Sequence, residues 1–351
     1  MNVNRTVTIC TAIVCCCITI GVLPSTSIAK SLPRYHLVQR IPIGGEGGWD
    51  ILSVDAKNRR LYVSHSSRVE VVDLNTNKVI GTIEHTEGVH AIGIADEFGH
   101  GFTTNGKTNT VLMFDLKTLD PLARIPVGQK PDAIAYEPYS KKILVMNGKS
   151  EDVSVLNPKT GAVEHTVKLG GGPEYAVSDG KGNFYVNLED ASEVLTVSTK
   201  TWKVTRRSSV KPGEGPTGIA MDTKSNRLFI GCGNSQMIVV DAKSGKVVAH
   251  LPTGKGIDAA AFDPVTKLAM TSNGADGTVS IYKEEAPNKF SLVQTLETQR
   301  GARTMALDPV THDIFVVTAE FGPVPAATAE NPRPRPTILP NTFVVLRYGM
   351  E

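Results

Sequence analysis

From residue 50 onward, short apolar runs alternate with turn residues, and within the runs the alternation has a period of two. In 69–74, Val69, Val71 and Asp73 face one way while Glu70, Val72 and Leu74 face the other, the pattern of a β-strand rather than a helix. Turn chemistry separates the runs: 55–59 reads Asp-Ala-Lys-Asn-Arg and 75–77 reads Asn-Thr-Asn. The first unit therefore predicts strands over 50–54, 60–64, 69–74 and 78–84. The same text recurs at 143–146 with 153–156, at 228–230 with 237–241, and at 268–271 with 278–282.

Seven of these units open alike, with a small or Gly/Pro-rich lead-in, one polar residue and then an apolar strand. The polar residues are Asp50, His90, Asp132, Glu174, Thr217, Asp258 and Arg303, spaced by 40, 42, 42, 43, 41 and 45 residues. A repeat of about 40–45 residues with four strands per unit is the signature of a propeller blade. The chain is predicted to be all-β, a seven-bladed β-propeller of four-stranded blades. That fold would gather the seven polar side chains where the innermost strands begin, around one central channel.

The two ends of the pattern predict how the ring closes. Tyr35-His36-Leu37-Val38-Gln39-Arg40-Ile41 is similar to the outer-strand text Phe290-Ser291-Leu292-Val293-Gln294-Thr295-Leu296, yet no inner strands precede it. The last unit supplies 304–307, 314–318 and 343–347 and stops one strand short. The N-terminal strand is expected to complete the last blade, leaving no open edge at the seam. One segment breaks the rhythm: 321–341 holds six prolines, including Asn331-Pro332-Arg333-Pro334-Arg335-Pro336. Prolines at this density favour extended polyproline geometry over a central strand. The segment is expected to be an enlarged loop in blade 7, either a lid over the channel or a stiff surface excursion.

Residues 1–29 read as a signal peptide, with Arg5 as the basic region, an apolar stretch over 7–23 and Ser27-Ile28-Ala29 before Lys30 as a cleavage site. A membrane span needs about 20 apolar residues, and this stretch is interrupted by Thr8, Thr11 and Thr19. A periplasmic or secreted protein without a membrane span in its mature chain, 30–351, is expected. Cys15 to Cys17 would suit lipidation, but Val14 stands where a lipoprotein signal normally has a small residue. Of five cysteines only Cys232 lies beyond residue 29, so the mature chain can form no internal disulfide. Lys and Arg total 37 against 35 Asp and Glu. With Lys107, Lys149, Lys211 and Lys255 scattered, no nucleic-acid partner is expected.

The unit Leu61-Tyr62-Val63-Ser64-His65, followed by 69–83 (Val-Glu-Val-Val-Asp-Leu-Asn-Thr-Asn-Lys-Val-Ile-Gly-Thr-Ile), resembles the YVTN-repeat β-propeller family, as do Met146-Asn147-Gly148 and Thr271-Ser272-Asn273-Gly274. The resemblance covers nearly the whole mature chain. It implies an exported propeller, in a family whose relatives include haem d1 domains, lyases, surface-layer modules and binding platforms. It carries no shared catalytic motif, and fold alone assigns no function.

Candidate chemistry concentrates at the channel mouth. Gly101-Phe102-Thr103-Thr104-Asn105-Gly106-Lys107-Thr108 matches the phosphate-loop pattern. That loop must lead into a helix N-terminus, whereas here it runs into the strand 111–115, which predicts a hairpin turn. The starts of the inner strands should face the ends of the second strands, at His65, Asn105, Asn147, Asn187, Cys232, Asn273 and Glu320. Blades 1 and 2 are neighbours, so His65 and His90 are expected to approach each other beside Asp50. With Glu174 they form a candidate set for a divalent transition metal. Asp132, Asp258, Arg303, Asn105, Asn147, Tyr175 and Trp49 are candidate ligand-binding residues. The alternative for the aspartates is a repeated hydrogen bond to backbone, for Tyr175 and Trp49 aromatic packing, and for Arg303 an ion pair with Asp50. No Cys-x-x-Cys, His-Glu-x-x-His or Gly-x-Ser-x-Gly motif occurs beyond residue 29. The sequence thus supports a monomeric module binding a small molecule or protein on its top face, the face where the inner strands begin. The alternative is a metal-dependent hydrolase or lyase at the channel mouth.

Overall fold

The computed structural model describes residues 1–4, 6, 8, 34–328, 334 and 336–351. The signal-peptide reading of 1–29 falls mostly outside these residues, as do 329–333 and 335 of the Pro-rich segment. The described strands form seven four-stranded antiparallel sheets, the predicted seven-bladed propeller. Blade 1 consists of Leu52–Asp55, Arg60–His65, Arg68–Asp73 and Lys78–Ile83, paired in chain order from the channel outwards. Blades 2 to 6 repeat this order over 89–126, 131–168, 173–209, 216–252 and 257–297. Among the described residues the one helical element is a short 3₁₀ turn, Asp96–Phe98.

Blade 7 is assembled from both ends of the pattern. Met305–Leu307, Ile314–Thr318 and Val344–Met350 come from the end of the chain, and Tyr35–Pro42 supplies the outer strand, running from Tyr35 opposite Met350 to Pro42 opposite Val344. Tyr35 and Ile41 are buried there. The Tyr35 hydroxyl donates to the His312 carbonyl at 2.8 Å. Gln294, on the outer strand of blade 6, brackets the Tyr35 backbone, accepting from its N–H at 2.9 Å and donating to its carbonyl at 2.8 Å.

The apolar residues lie in layers between blades rather than in one central mass. Tyr62, Val69 and Val71 of blade 1 meet Val89, Ile92, Leu112 and Phe114 of blade 2, while Leu61 and Val63 meet Phe315, Val317, Phe343 and Val345 of blade 7. Alternation places both faces of each middle strand in such a layer, so these strands are apolar on both sides.

The inner strands share one irregularity. In blades 2 to 6 the pairing register breaks immediately after strand entry, between Val89 and Ile92, Pro131 and Ile134, Pro173 and Ala176, Pro216 and Ile219, and Ile257 and Ala259. In blades 1 and 7 the ladder starts only after Asp50 and Arg303. The polar residue of every unit therefore stands where the ladder is interrupted, as in a β-bulge that re-aims a side chain. The Pro-rich segment leaves blade 7 between its second and third strands, through a neck closed by a bridge between Phe321 and Ile338. Gly322 N–H donates to the Thr337 carbonyl, and Leu339 N–H to that of Glu320.

Removing Tyr35–Pro42 should expose the edge of Val344–Met350 and uncover two large buried side chains, at about 1.5–3 kcal/mol each. Denaturant unfolding should show a loss of at least about 3 kcal/mol. An unchanged midpoint would mean that blade 7 does not need its fourth strand.

Candidate functional site

Interrupting the ladder leaves backbone groups that must find other partners, and the neighbouring blade supplies them. The Asp50 carbonyl accepts from Thr304 Oγ1 at 2.6 Å, the Asp132 carbonyl from Thr104 Oγ1 at 2.5 Å, and the Thr217 carbonyl from Asn187 Nδ2 at 2.8 Å. Ser272 donates likewise to the Arg303 carbonyl, and Ile51 N–H to that of His90 at 2.9 Å. With their backbone held in this way, the polar side chains are aimed at the channel.

Three of them converge from blades 1, 2 and 3. His90 Nδ1 lies 2.6 Å from Asp50 Oδ2 and 3.4 Å from Asp132 Oδ1. Asp50, His90 and Asp132 are the described residues that form a cluster of potential metal-ligating atoms, all within 4.8 Å of one another. Cations flank the cluster. Arg303 Nη2 reaches Asp50 Oδ1 at 3.1 Å and the Trp49 carbonyl at 2.9 Å, while its Nε lies 3.3 Å from Asp258. Lys130 Nζ is 3.3 Å from Asp132 Oδ2. Burial opposes protonation of His90, but the Asp50 hydrogen bond and the charges of Asp132 and Asp50 outweigh it and raise its pKa above the ordinary value.

A cavity of about 420 Å³ opens over this network, lined on its charged side by Asp50, His90, Lys107, Lys130 and Arg303. The imidazole fits because residue 106 is glycine: a Cβ there would lie 2.7 Å from His90 Nε2. This is the role of the second glycine in the phosphate-loop match. The segment itself is the turn between the strands His100–Asn105 and Thr110–Asp115, with no helix behind it.

Beside this network the balance is acidic. Burial, then the charges of Asp132, Glu189 and Asp258, push Glu174 up to about 8. Burial, partly offset by Arg303 and reinforced by Asp50 and Asp132, pushes Asp258 up to about 7. The Tyr175 hydroxyl is buried without a hydrogen-bond partner, and burial above all holds it in its neutral form.

The remaining expected site residues lie elsewhere. His65 is fully buried, with its ring 4.3 Å from that of Phe343. Its Nδ1 is 3.2 Å from Glu70 Oε1 and 3.1 Å from Arg68 Nη2. His65, expected beside His90, thus has its partners within blade 1 and stands outside the Asp50–His90–Asp132 cluster. Burial opposes ionisation of Glu70, but hydrogen bonds from His65, Arg68 and Thr82 prevail and lower it to about 2. Glu174 also stands outside the three-residue cluster. Asn105 and Asn147 are fully buried and line no part of the cavity. Asn105 accepts from Thr103 Oγ1 at 2.9 Å, and Asn147 donates to Asp152 and Ser154 at 2.8 and 2.9 Å, so both tie down their own blades. The Trp49 ring packs against Phe343 and Phe321, at 5.5 and 6.0 Å between centroids, and borders the cavity. Lys130 is a site residue the sequence reading passes over. Its signal is position, two residues before Asp132 in the lead-in to the inner strand, the spacing that returns a side chain to the same side.

The Glu174 shift has a sign that can be measured. Its native pKa of about 8 exceeds the ordinary 4.5, so the folded state binds the proton more tightly than the unfolded state. The group's contribution is complete below pH 4.5 and is lost as pH rises through about 8. Glu174→Gln should therefore stabilise the protein at pH 8 by roughly 1–3 kcal/mol and change little at about pH 4, as read by denaturant unfolding. Equal stabilities at the higher pH would show that Glu174 is not held protonated.

No family model matches the chain. It is similar to an uncharacterized protein, YncE, of Salmonella typhimurium strain LT2, being 22% identical over 261 residues that cover 67% of this chain and 72% of the relative. Among solved structures, Kuenenia stuttgartiensis hydrazine synthase superposes with a TM-score of 0.68 at 15% identity, over 84% of this chain and 96% of that one. At this identity the likeness to the solved structure is one of fold alone.

Proposed function

We propose that the chain is an exported propeller of the YVTN-repeat type that binds a ligand at the mouth of its central channel. The observation that carries this reading is the Asp50–His90–Asp132 network, flanked by Arg303 and Lys130 and opening onto a cavity of about 420 Å³. A pocket of this size with a few convergent polar groups is the usual form of a small-molecule site. Partly exposed ion pairs contribute only about 0–1 kcal/mol each, so stability gives little reason to gather so many charges here. The repeat text at 61–83 supports the YVTN type, and 1–29 supports export, leaving 30–351 as the working propeller with 321–341 inserted in blade 7. A small molecule suits the concave mouth. The broader top face also has room for a protein.

The test is native mass spectrometry of the mature protein after incubation with a small-molecule extract of the producing cells, beside Asp50→Asn/His90→Gln. A retained mass that is lost in the double variant is expected. Identical spectra from the two folded proteins would overturn the reading.

A second reading, a metal-dependent hydrolase or lyase, is favoured by the close approach of the Asp50, His90 and Asp132 ligand atoms. Those three residues would hold a divalent transition metal, which when bound polarises a carbonyl or activates water. Glu174, carrying a proton near neutral pH, stands close enough to Asp132 to be raised by its charge and is the acid of this reading. Elemental analysis of untagged protein should then find near-stoichiometric zinc, copper, iron or manganese that disappears in His90→Gln. Protein left empty after incubation with these ions would exclude it.

A further inference from the structure

The cavity over the charged network does not end at Trp49. A second chamber of about 270 Å³ adjoins it, lined by Gly48, Trp49, Gly301, Arg303, Phe321, Pro336 and Ile338. Gly48, Trp49 and Arg303 belong to both, so a charged room and an apolar one meet along these three residues. The far wall of the apolar room is the neck of the Pro-rich segment, where Phe321 and Ile338 are bridged and Ile338 packs on the layer that includes Trp49.

The two rooms differ in what they leave unsatisfied. In the charged room, Asp50 is engaged by both His90 and Arg303, so the carboxylate facing the cavity already has cationic partners. One charged donor there has no partner among the described residues, the exposed Lys107 ammonium. Lys130 lines the same cavity with a single ion-pair partner, Asp132. Spare charge in this room is therefore positive. The apolar room offers two rings, a proline and an isoleucine, with Arg303 at its entrance. Asp132 and Asp258 lie close beneath, which weighs against a head group of high negative charge such as a phosphate dianion.

Resting on the binding reading above, we infer that the paired chambers take an amphipathic monocarboxylate. Its anionic head would lie against Lys107 and Lys130, and its aromatic or aliphatic tail along Trp49, Phe321, Pro336 and Ile338. The joined volume falls within the range of about 300–1,000 Å³ typical of such sites. The head gains charge-assisted hydrogen bonds, and the tail gains burial at about 25 cal/mol per Å² of apolar surface. Charge at one end and apolar walls at the other fix the direction in which the ligand lies.

The chain has two tryptophans. The other, Trp202, lies in the outer part of blade 4 and stacks on His165 of blade 3. In a Trp202→Phe protein the emission therefore reports on Trp49 alone. The probes are 4-phenylbutyrate and its neutral twin 4-phenylbutyramide, titrated by fluorescence and, on the unsubstituted protein, by calorimetry. Saturable binding of the acid is expected, at least about tenfold tighter than the amide, with Lys107→Ala removing most of that difference. Ile338→Ser should weaken acid and amide together. Equal affinity for acid and amide, or an acid affinity unmoved by Lys107→Ala, would overturn the charged-head assignment. No binding of the acid up to millimolar concentration would overturn the ligand class altogether. A retained mass in the extract experiment would still uphold the broader binding reading in that case, so the two failures are distinguishable.

Discussion

Everything at the channel mouth depends on hydrogen bonds that leave one blade and end on the backbone of the next. An inner strand paired without a break would point its residues alternately into the inter-blade layers, and none would be presented to the channel over a backbone free to turn. Breaking the ladder at one residue solves that problem and creates another, a carbonyl without a partner, which in a buried setting costs about 1–3 kcal/mol. Thr304, Thr104, Asn187 and Ser272 answer it for Asp50, Asp132, Thr217 and Arg303. Because each donor belongs to the preceding blade, the same bonds fasten the ring and set the angle of its polar side chains.

Much of the architecture was legible in the sequence because propeller blades repeat, and a repeated pattern averages out local ambiguity. The ring of polar residues could be read for a related reason: a single Asp, His or Arg stands out at the head of an apolar strand. What could not be read was the direction of side chains at the ends of the second strands. His65 turns inward because Glu70, in the middle of the next strand, needs a buried partner. Asn105 and Asn147 do so because their side chains are bonded within their own blades. These partners are close in the blade, but nothing in period or spacing says which way they will pull. Lys107 and Lys130 escaped for the opposite reason: in sequence they look like any lysine in a solvent-facing turn, and only the closed ring puts them on the rim of a cavity.

The carboxyl groups around the channel fall into two kinds. Asp50, Asp132 and Asp258 each face a cation. Glu174 has none close enough to overcome burial and its acidic neighbours, and it keeps its proton instead. The channel can thus hold more carboxyl groups than cations, because Glu174 is neutral near neutral pH.

Arg303 and Asp50 are 253 residues apart in the chain, and they touch only because blade 7 comes to rest against blade 1. Across that same seam the Arg303 guanidinium donates to the Trp49 carbonyl, and both chambers share the two residues. A molecule lodged there spans the last joint of the ring to form, and it can do so only when the joint is shut. By mass action, ligand that binds the shut ring draws the population away from any opened form. Occupancy of the mouth then acts as a latch on the whole circle, including the strand pairing on the outer rim, far from anything the ligand contacts.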